Sequence, residues 1–180
     1  MEWKCKAFKA INTEELYEIL KLRAAVFVVE QDCPYLDLDD LDQRSHHVWT
    51  ETPQGEVIAY SRMIPPGLHV NEASIGRVVT LPSRRGESLG KKVFQQALDH
   101  ALLAWPEHDI VIMAQTFLVD FYEAFSLHDD GIGLQFSDKS PLGHFSSGLH
   151  RLYRNESDIY FKNDVPEEEK KARAQEVMDF

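Results

Sequence analysis

A strand–helix–strand pattern between residues 75 and 115 constrains the fold of this chain more than any other feature. The segment 75–81 has the residues of a strand closed by Pro82, and apolar positions at helical spacing follow from about 87 to 104. The unbroken apolar run that ends at Ala114 is typical of a strand covered on both faces. Such a unit is almost always a right-handed crossover between parallel strands, so the pattern predicts an α/β fold.

The flanking segments add three strands and two helices to this unit. Asn12 and Glu15 have the spacing of a capping box, which predicts a helix from about 13 to 28. Pro53 and Gly55 occupy the positions that a type I turn favours, so the strands on either side should form a hairpin. The predicted flanking elements are strands at 3–9, 46–51 and 57–64, helices at 13–28 and 117–125, and a loop at 32–42.

The composition argues against two classes of function. Hydrophobic residues make up 43% of the 180 residues, which is ordinary for a globular protein. The formal net charge is -11, which argues against general nucleic-acid binding, because that function needs clustered positive charge. No segment approaches the roughly 20 apolar residues of a membrane span, and the N-terminus lacks the apolar run of a signal peptide. Cys5 and Cys33 have neither metal nor redox spacing, which predicts free thiols in a cytoplasmic protein, with an organelle left open.

The turn between Pro82 and Gly90 is the segment best suited to chemistry. It carries Arg84, Arg85 and Gly86 directly before the long amphipathic helix. A helix N-terminus presents unpaired N–H groups and the positive end of the helix dipole, which suit a pyrophosphate. The alternative is a helix start whose glycines serve packing only. Rossmann and P-loop sites fit less well, because Gly-x-Gly-x-x-Gly, Gly-Lys-Ser and Gly-Lys-Thr do not occur.

Four segments together resemble the ElaA-like branch of the GNAT acetyltransferases. They are Arg-Ala-Ala-Val-Phe-Val-Val-Glu-Gln-Asp-Cys-Pro-Tyr at 23–35, Ile-Gly-Arg-Val at 75–78, Arg-Gly-Glu-Ser-Leu-Gly at 85–90, and Ala-Gln at 114–115 followed by Phe-Tyr at 121–122. The resemblance covers residues 3 to 125 in order and spacing. One departure is Ser88, where the broader family usually has a glycine, although a serine can cap a helix start.

The resemblance implies a GNAT fold, an α/β arrangement with a mixed sheet splayed between the strands at 75–81 and 109–115. Acetyl-CoA would lie in that opening as a cosubstrate, and no metal is implied. The residues that the resemblance assigns to it are Val78, Val79 and Thr80 for the pantetheine, and Arg85, Gly86, Glu87, Ser88, Leu89 and Gly90 for the pyrophosphate. Gln115 would either hydrogen-bond the cofactor amides or satisfy the strand end.

Acetyl transfer requires that the amine lose a proton, that the thioester carbonyl be polarised and that the leaving thiolate gain a proton. The resemblance assigns the last step to Tyr122, and the alternative is a core aromatic residue beside Phe121. Glu30, His46 and His47 are candidates for the base, and a chain of water molecules would also serve.

Five aspartates lie between Asp32 and Asp42. Their spacing does not fit a calcium-binding loop. A solvated loop is the first expectation, and a cation-attracting lip for an amine acceptor is the second. Cys33, in the same segment, lacks an activating base and is expected to serve packing.

Residues 126–165 match the family least. GNAT domains usually continue here into a closing β-hairpin, but 137–144 is rich in Gly, Pro and Ser, and only 132–136 and 158–162 have strand character. The segment is either an insertion or the product of a frame or splice difference. A missing hairpin would leave the strand at 109–115 without one neighbour, so 126–165 is expected to fold poorly. We therefore predict one domain over 1–165, atypical over 126–165, and a charged tail at 166–180.

The sequence as a whole predicts an acetyl-CoA-dependent N-acetyltransferase. It would move the acetyl group to a primary amine of a small molecule or protein, by direct attack in a ternary complex. A non-catalytic GNAT-fold module that binds a partner or acyl-CoA, and a subunit of an acetyltransferase complex, remain alternatives. The expected partners are acetyl-CoA and an amine acceptor, without nucleic acid, membrane or metal, and no oligomeric state is predicted.

Overall fold

A seven-stranded mixed sheet forms the centre of the structure, a computed structural model that describes residues 1–115, 118–125, 127–134 and 149–154. Its strands are β1 (Lys4–Ala7), β2 (His46–Glu51), β3 (Val57–Ile64), β4 (Ala73–Thr80), β5 (Ile110–Gln115), β6 (His128–Leu134) and β7 (Leu149–Arg154). They lie in the order β1-β2-β3-β4-β5-β7-β6. The helices are α1 (Thr13–Arg23), α2 (Leu89–Ala104) and α3 (Val119–Glu123).

The first helix begins at the predicted capping box. The Glu15 backbone N–H donates to the Asn12 side chain at 2.8 Å, and the Asn12 N–H donates to the Glu15 carboxylate at 3.1 Å. After Arg23 the chain continues as a π-helical segment, Ala24–Glu30, so helical backbone extends two residues past the predicted end. π-Helical segments are rare in proteins, and those that occur are often found at functional sites.

β4 and β5 are parallel but separate after two residue pairs. Ala73 pairs with Ile110 and Ser74 with Val111, and the described residues form no later pair between these strands. α2 connects the two strands, which confirms the strand–helix–strand unit. Beyond Ser74, β4 is therefore paired with described residues on its β3 side alone. We call the gap between β4 and β5 the splay.

Helices cover both faces of the sheet. On one face α2 packs through Phe94 and Leu98 against the central strands, and Tyr122 of α3 joins the same core. On the other face α1 packs against Trp49, Tyr60 and Val79 in a second, smaller core. The two sides of the sheet are called the α2 side and the α1 side below.

β4 carries a bulge at Arg77. The register with β3 shifts here, so that Arg77 and Val78 together oppose Ser61, and Arg77 has a left-handed φ of 54°. Side chains two or four positions apart normally share a face of a strand. Instead, Ile75 lies in the α2-side core and Val79 in the α1-side core, because the extra residue inverts the alternation.

The sheet continues past β5 as an antiparallel hairpin. Each residue of β5 pairs with a residue of β7, and β6 pairs in turn with β7. The expectation that the 109–115 strand lacks a neighbour is therefore wrong. The sequence did not predict β7, because the residues of Leu149–Arg154 do not alternate between apolar and polar. This segment is a strand because it pairs with β5. The predicted strand at 158–162 and the tail at 166–180 lie outside the described residues.

Candidate active site

The turn that leads from β4 into α2 has an unusual backbone. Gly86 has a left-handed φ of 90°, and a Cβ placed on it would meet no atom within 4 Å. Ser88, at the N-cap position of α2, is also left-handed with φ 59°, and its side chain makes no capping hydrogen bond. The capping role considered for Ser88 is therefore wrong, and this side chain does not occupy the first N–H groups of α2.

The arginines of this turn are held by carboxylates. Arg84 pairs with Glu87 within the turn, with Nη2 2.7 Å from Oε2. Arg85 reaches across to the π-helical segment, where its Nη2 lies 2.8 Å from a carboxylate oxygen of Glu30. Exposed pairs of this kind contribute little to stability. An anion bound at the turn would therefore compete with Glu30 for Arg85 at small cost.

Gly90 brings three elements of the candidate site together. A Cβ at this position would lie 3.8 Å from Thr80 Cγ2 on β4 and 4.0 Å from Phe121 Cζ on α3. A methyl group would fit at these distances, but a longer side chain would push the first turn of α2 away. Leu89, beside it, is buried in the core and anchors the same turn. The end of β4, the start of α2 and α3 therefore meet at one place.

The edge of β4 from Val78 to Thr80 faces the splay. On the β3 side Val79 and Thr80 are paired, whereas the described part of β5 offers them no partner. Gln115 ends β5 and pairs with β7 rather than with β4. An open strand edge can bind an extended ligand through main-chain hydrogen bonds, as an added strand would.

Tyr122 is buried on the α2 side of the sheet. Its ring centroid lies 4.9 Å from those of Phe94 and Phe121, both in edge-on geometry. Burial raises the pKa of the Tyr122 phenol to about 12, so the group keeps its proton at neutral pH. The position is consistent with a packed aromatic residue and with a proton donor held in its acid form.

His47 is a structural group rather than a base. Its Nδ1 lies 2.8 Å from the Tyr60 hydroxyl and its Nε2 lies 3.0 Å from the Asp42 carbonyl oxygen. The carbonyl can only accept, so Nε2 carries the proton and Nδ1 accepts from the tyrosine. Burial lowers the pKa of His47 to about 4, which keeps the ring neutral.

The aspartate-rich loop contributes three carboxylates to a closed ring of ion pairs. Each of these aspartates bridges two arginines and each arginine bridges two aspartates, with N–O distances between 2.6 and 3.2 Å. We call this group the Arg–Asp ring; its members in order are Arg23, Asp37, Arg77, Asp39, Arg62 and Asp42. With three charges of each sign, the ring is neutral.

The Arg–Asp ring overturns the expectation of a solvated acidic loop. Asp37 and Asp42 are buried, and so are Arg23 and Arg62. Burial of Asp39 opposes its ionisation, but its arginine partners outweigh this effect and lower its pKa to about 2. Buried charges persist only when they are paired. The charges of three of the five aspartates are thus balanced by arginines, and Asp39 alone of these three is partly exposed.

A cavity of about 610 Å³ opens on the α1 side of the splay. Gly76, Val111 and Met113 of β4 and β5 line it, and the Arg–Asp ring contributes a wall through Asp39, Arg62 and Arg77. The loop before β4 adds His69 and Glu72. The cavity is therefore a partly apolar, partly charged space beside the open edge of β4.

The predicted bases lie away from this cavity. Glu30, His46 and His47 are absent from its lining, and burial lowers the pKa of His46 as well. Among the residues that the structure describes, the titratable side chains that line the cavity outside the Arg–Asp ring are His69 and Glu72. Neither was singled out in the sequence, because both occur in an irregular loop without a motif.

Comparison with known proteins decides the family. Residues 13–126 match the model of the Acetyltransferase (GNAT) family. The chain belongs to the GNAT family. A UPF0039 protein of Synechocystis sp. is 38% identical over 125 residues, which are 69% of this chain and 81% of that protein. Protein ElaA of Escherichia coli is 34% identical over 129 residues, 69% and 82% of the two chains, so the ElaA-like resemblance is confirmed.

Solved structures share this GNAT fold. An acyl-CoA N-acyltransferase from Pseudomonas aeruginosa has a TM-score of 0.76 at 30% identity, over 86% of this chain and 99% of that chain. Escherichia coli ElaA has a TM-score of 0.75 at 28% identity, with the same coverage of 86% and 99%. The predicted GNAT fold is confirmed.

Other features of the sequence bear on the GNAT site less directly. Cys5 and Cys33 form no disulfide with each other, as their spacing predicted. Over the described ranges no helix is long and apolar enough to span a membrane. In the same part of the chain no three His, Cys, Asp or Glu side chains gather as a metal-binding group.

Sequence reasoning missed the Arg–Asp ring and the bulge of this GNAT domain. The ring joins side chains as far as 40 positions apart, so no local sequence pattern predicts it. The bulge has one local sign: Val78 and Val79 are consecutive apolar residues in a strand whose other positions alternate between the two faces.

Proposed function

We propose that this protein is an N-acetyltransferase that transfers the acetyl group of acetyl-CoA to a primary amine by direct attack in a ternary complex. The observation that carries the proposal is the opening of the sheet. β4 leaves β5 after Ser74, and its free edge runs from the cavity toward the 82–90 turn. A cosubstrate on that edge would place its phosphates at the turn and its thioester beside the cavity.

In this proposal the cosubstrate binds mainly to the backbone. The pantetheine lies along Val78–Thr80 like an added strand. The pyrophosphate meets the first N–H groups of α2, next to the open space at Gly86. Arg85 supplies positive charge once it releases Glu30.

The proposed reaction balances without a further reactant. The amine nitrogen attacks the thioester carbonyl carbon, a C–N bond forms and the C–S bond breaks. The amine loses one proton and the CoA thiolate gains one, so the products are an amide and free CoA. Tyr122 is the proposed donor of that proton, and the bulge at Arg77 and Val78 is proposed to hold the carbonyl oxygen through backbone N–H groups.

The cavity on the α1 side is proposed to receive the acceptor amine. Its apolar floor, with Val111 and Met113, suits the hydrocarbon part of an amine. His69 and Glu72 replace Glu30, His46 and His47 as candidates for the base, because they line the cavity.

The test measures CoA release from acetyl-CoA across a panel of small amines and lysine-containing peptides, together with calorimetric binding of CoA. The full chain is used, with the proposed domain at 1–165 and the proposed tail at 166–180. Activity with any amine, lost in Gly86→Val, would support the proposal. Binding of CoA without transfer to any acceptor would indicate a non-catalytic module, and no binding of CoA would remove the proposal.

A further inference from the structure

The bulge in β4 is held by side chains from other parts of the chain. Arg77 Nε donates to Asp37 Oδ1 at 2.6 Å, and Arg77 Nη2 donates to Asp39 Oδ2 at 3.2 Å. Asp37 is fixed in turn by Arg23 at the end of α1, at 2.8 Å, and Asp39 by Arg62 of β3, at 2.6 Å. The left-handed residue of the strand is therefore clamped at two points by groups anchored in regular secondary structure.

A clamp of this kind explains how the bulge persists. A non-glycine residue in the left-handed region is strained, and it remains there only where its surroundings over-determine it. Asp37 also accepts from Arg77 through its backbone carbonyl at 3.2 Å, so Arg77 has three hydrogen bonds to two residues of one loop. The side-chain contacts outweigh the local preference of the backbone.

We propose that Asp37 and Asp39 are positioning residues for acetyl transfer: through Arg77 they hold the β4 bulge in the conformation that turns backbone N–H groups toward the thioester carbonyl. This inference rests on the proposed function, because the bulge lies on the edge of β4 assigned to the cosubstrate. The Arg–Asp ring also lines the acceptor cavity, so one set of ion pairs sets the position of both reactants.

The location of the bulge connects it to the chemistry. Arg77 directly follows Gly76, which lines the cavity together with Ser74, and it directly precedes the edge at Val78–Thr80. Bulges re-aim the backbone groups of a strand, and they are frequent next to active sites. A rotation at Arg77 would misdirect those groups while leaving the 82–90 turn in place.

The test compares Asp37→Asn with Asp40→Asn in the full chain. Both changes remove one negative charge from the same loop, but Asp40 is exposed and takes no part in the ring. Calorimetry gives the affinity of each protein for CoA and for acetyl-CoA, which differ only in the acetyl group, and thermal unfolding gives stability. We expect Asp37→Asn to bind CoA within about twofold of the wild type, since the turn is unchanged.

The affinity of Asp37→Asn for acetyl-CoA relative to CoA should fall by about two- to tenfold, the scale of one hydrogen bond. Release of CoA with the best amine of the panel should fall about tenfold or more, because the thioester is misplaced. Asp40→Asn should match the wild type in both measurements.

A second variant, Asp39→Asn, keeps the test valid if Asp37→Asn does not fold. It weakens the other contact that holds Arg77, from Arg77 Nη2 to Asp39 Oδ2, at a partly exposed position, so the same two losses are expected. Unchanged affinity ratio and CoA release in a folded variant would overturn the inference and leave the ring as support for the fold only. A wild-type protein that binds neither CoA nor acetyl-CoA would instead remove the proposed function, and this inference with it.

Discussion

The Arg85 guanidinium lies 2.8 Å from the Glu30 carboxylate, which ties the 82–90 turn to the π-helical segment that follows α1. The two side chains are 48% and 40% exposed, so the pair is solvated and easily exchanged. A phosphate at the turn would meet this carboxylate together with the guanidinium. If the cosubstrate phosphates bind at this turn, Glu30 competes with them for Arg85.

Removal of this competitor should strengthen cosubstrate binding. Glu30→Gln is expected to bind CoA about two- to fivefold more tightly at low salt, because Arg85 is released and a negative charge is lost. Calorimetry at two ionic strengths measures the effect, which should shrink as salt rises. Glu14→Gln, an exposed residue in the first turn of α1, is the matched control. Equal affinity in Glu30→Gln and the wild type would show that the phosphates bind elsewhere.

Gly86 and Gly55 allow backbone strain to be separated from ligand binding. Their φ angles are 90° and 86°, and a Cβ on either would meet no atom within 4 Å, so Gly86→Val and Gly55→Val carry a similar conformational cost. Only Gly86 belongs to the proposed pyrophosphate site. We expect CoA affinity to fall about tenfold or more in Gly86→Val, the scale of a lost bond to a charged group. Similar losses of CoA affinity in both variants would contradict the assignment.

The proposed role of Tyr122 predicts a loss of turnover without a loss of binding. Tyr122→Phe keeps the packed ring and removes the hydroxyl, so turnover should fall about 10²-fold or more while CoA affinity barely moves. Because the pKa of Tyr122 is raised to about 12, its ionisation should not reduce the rate below about pH 10. Tyr17→Phe, at an exposed position of α1, is the control. Wild-type turnover in Tyr122→Phe would leave this residue with a packing role only.

The left-handed serine at the start of α2 predicts a stabilising substitution. Ser88 has φ 59° and no capping hydrogen bond, so Ser88→Gly removes strain and loses no side-chain contact of that kind. We expect the free energy of unfolding to rise by up to about 1 kcal/mol, or about 2–4 °C in Tm. Ser83→Gly, in the preceding turn with an ordinary φ, should not gain stability. Thermal unfolding that ranks the two variants in the opposite order would contradict this reading of the turn.

His47 predicts a loss of stability in mild acid. Its pKa is about 4 in the folded protein against 6.5 for a free histidine, so the unfolded chain binds more protons between these values. Stability should therefore fall as the pH drops from about 6.5 to 4, by up to about 3 kcal/mol from this residue. His47→Gln should flatten that slope, whereas His108→Gln, at an exposed position, should keep it. Parallel slopes of the free energy of unfolding against pH would show that His47 is not responsible.

Local signals in the sequence predicted most of the fold. β2 and β3 have the predicted bounds, because the turn between them is a local feature in which the Gly55 N–H donates to the Thr52 carbonyl at 2.9 Å. The capping box of α1 is equally local. β7 was missed because its six residues have no period of their own and become a strand by pairing with β5.

In the candidate site, too, features with a local motif were predicted and features formed by long-range contacts were not. The 82–90 turn, the edge of β4 and Tyr122 were found through motifs, and their roles remain predictions. The Arg–Asp ring was not found, because charged residues between leucines suggest a solvated loop. The structure inverts that expectation: Leu36 and Leu38 are 78% and 48% exposed, and Asp37 between them is 8% exposed. Three arginines from distant positions make this inversion favourable, and only the folded chain brings them together.

The inverted alternation of β4 also restricts how this chain can change during evolution. Ile75 packs beneath α2 and Val79 beneath α1, so an insertion or deletion of one residue between them would send every later side chain of the strand to the wrong face. Point substitutions do not change the face of the sheet on which each residue of β4 lies. The strand can therefore exchange residues but cannot gain or lose one, whereas the loop before it is not bound by this restriction.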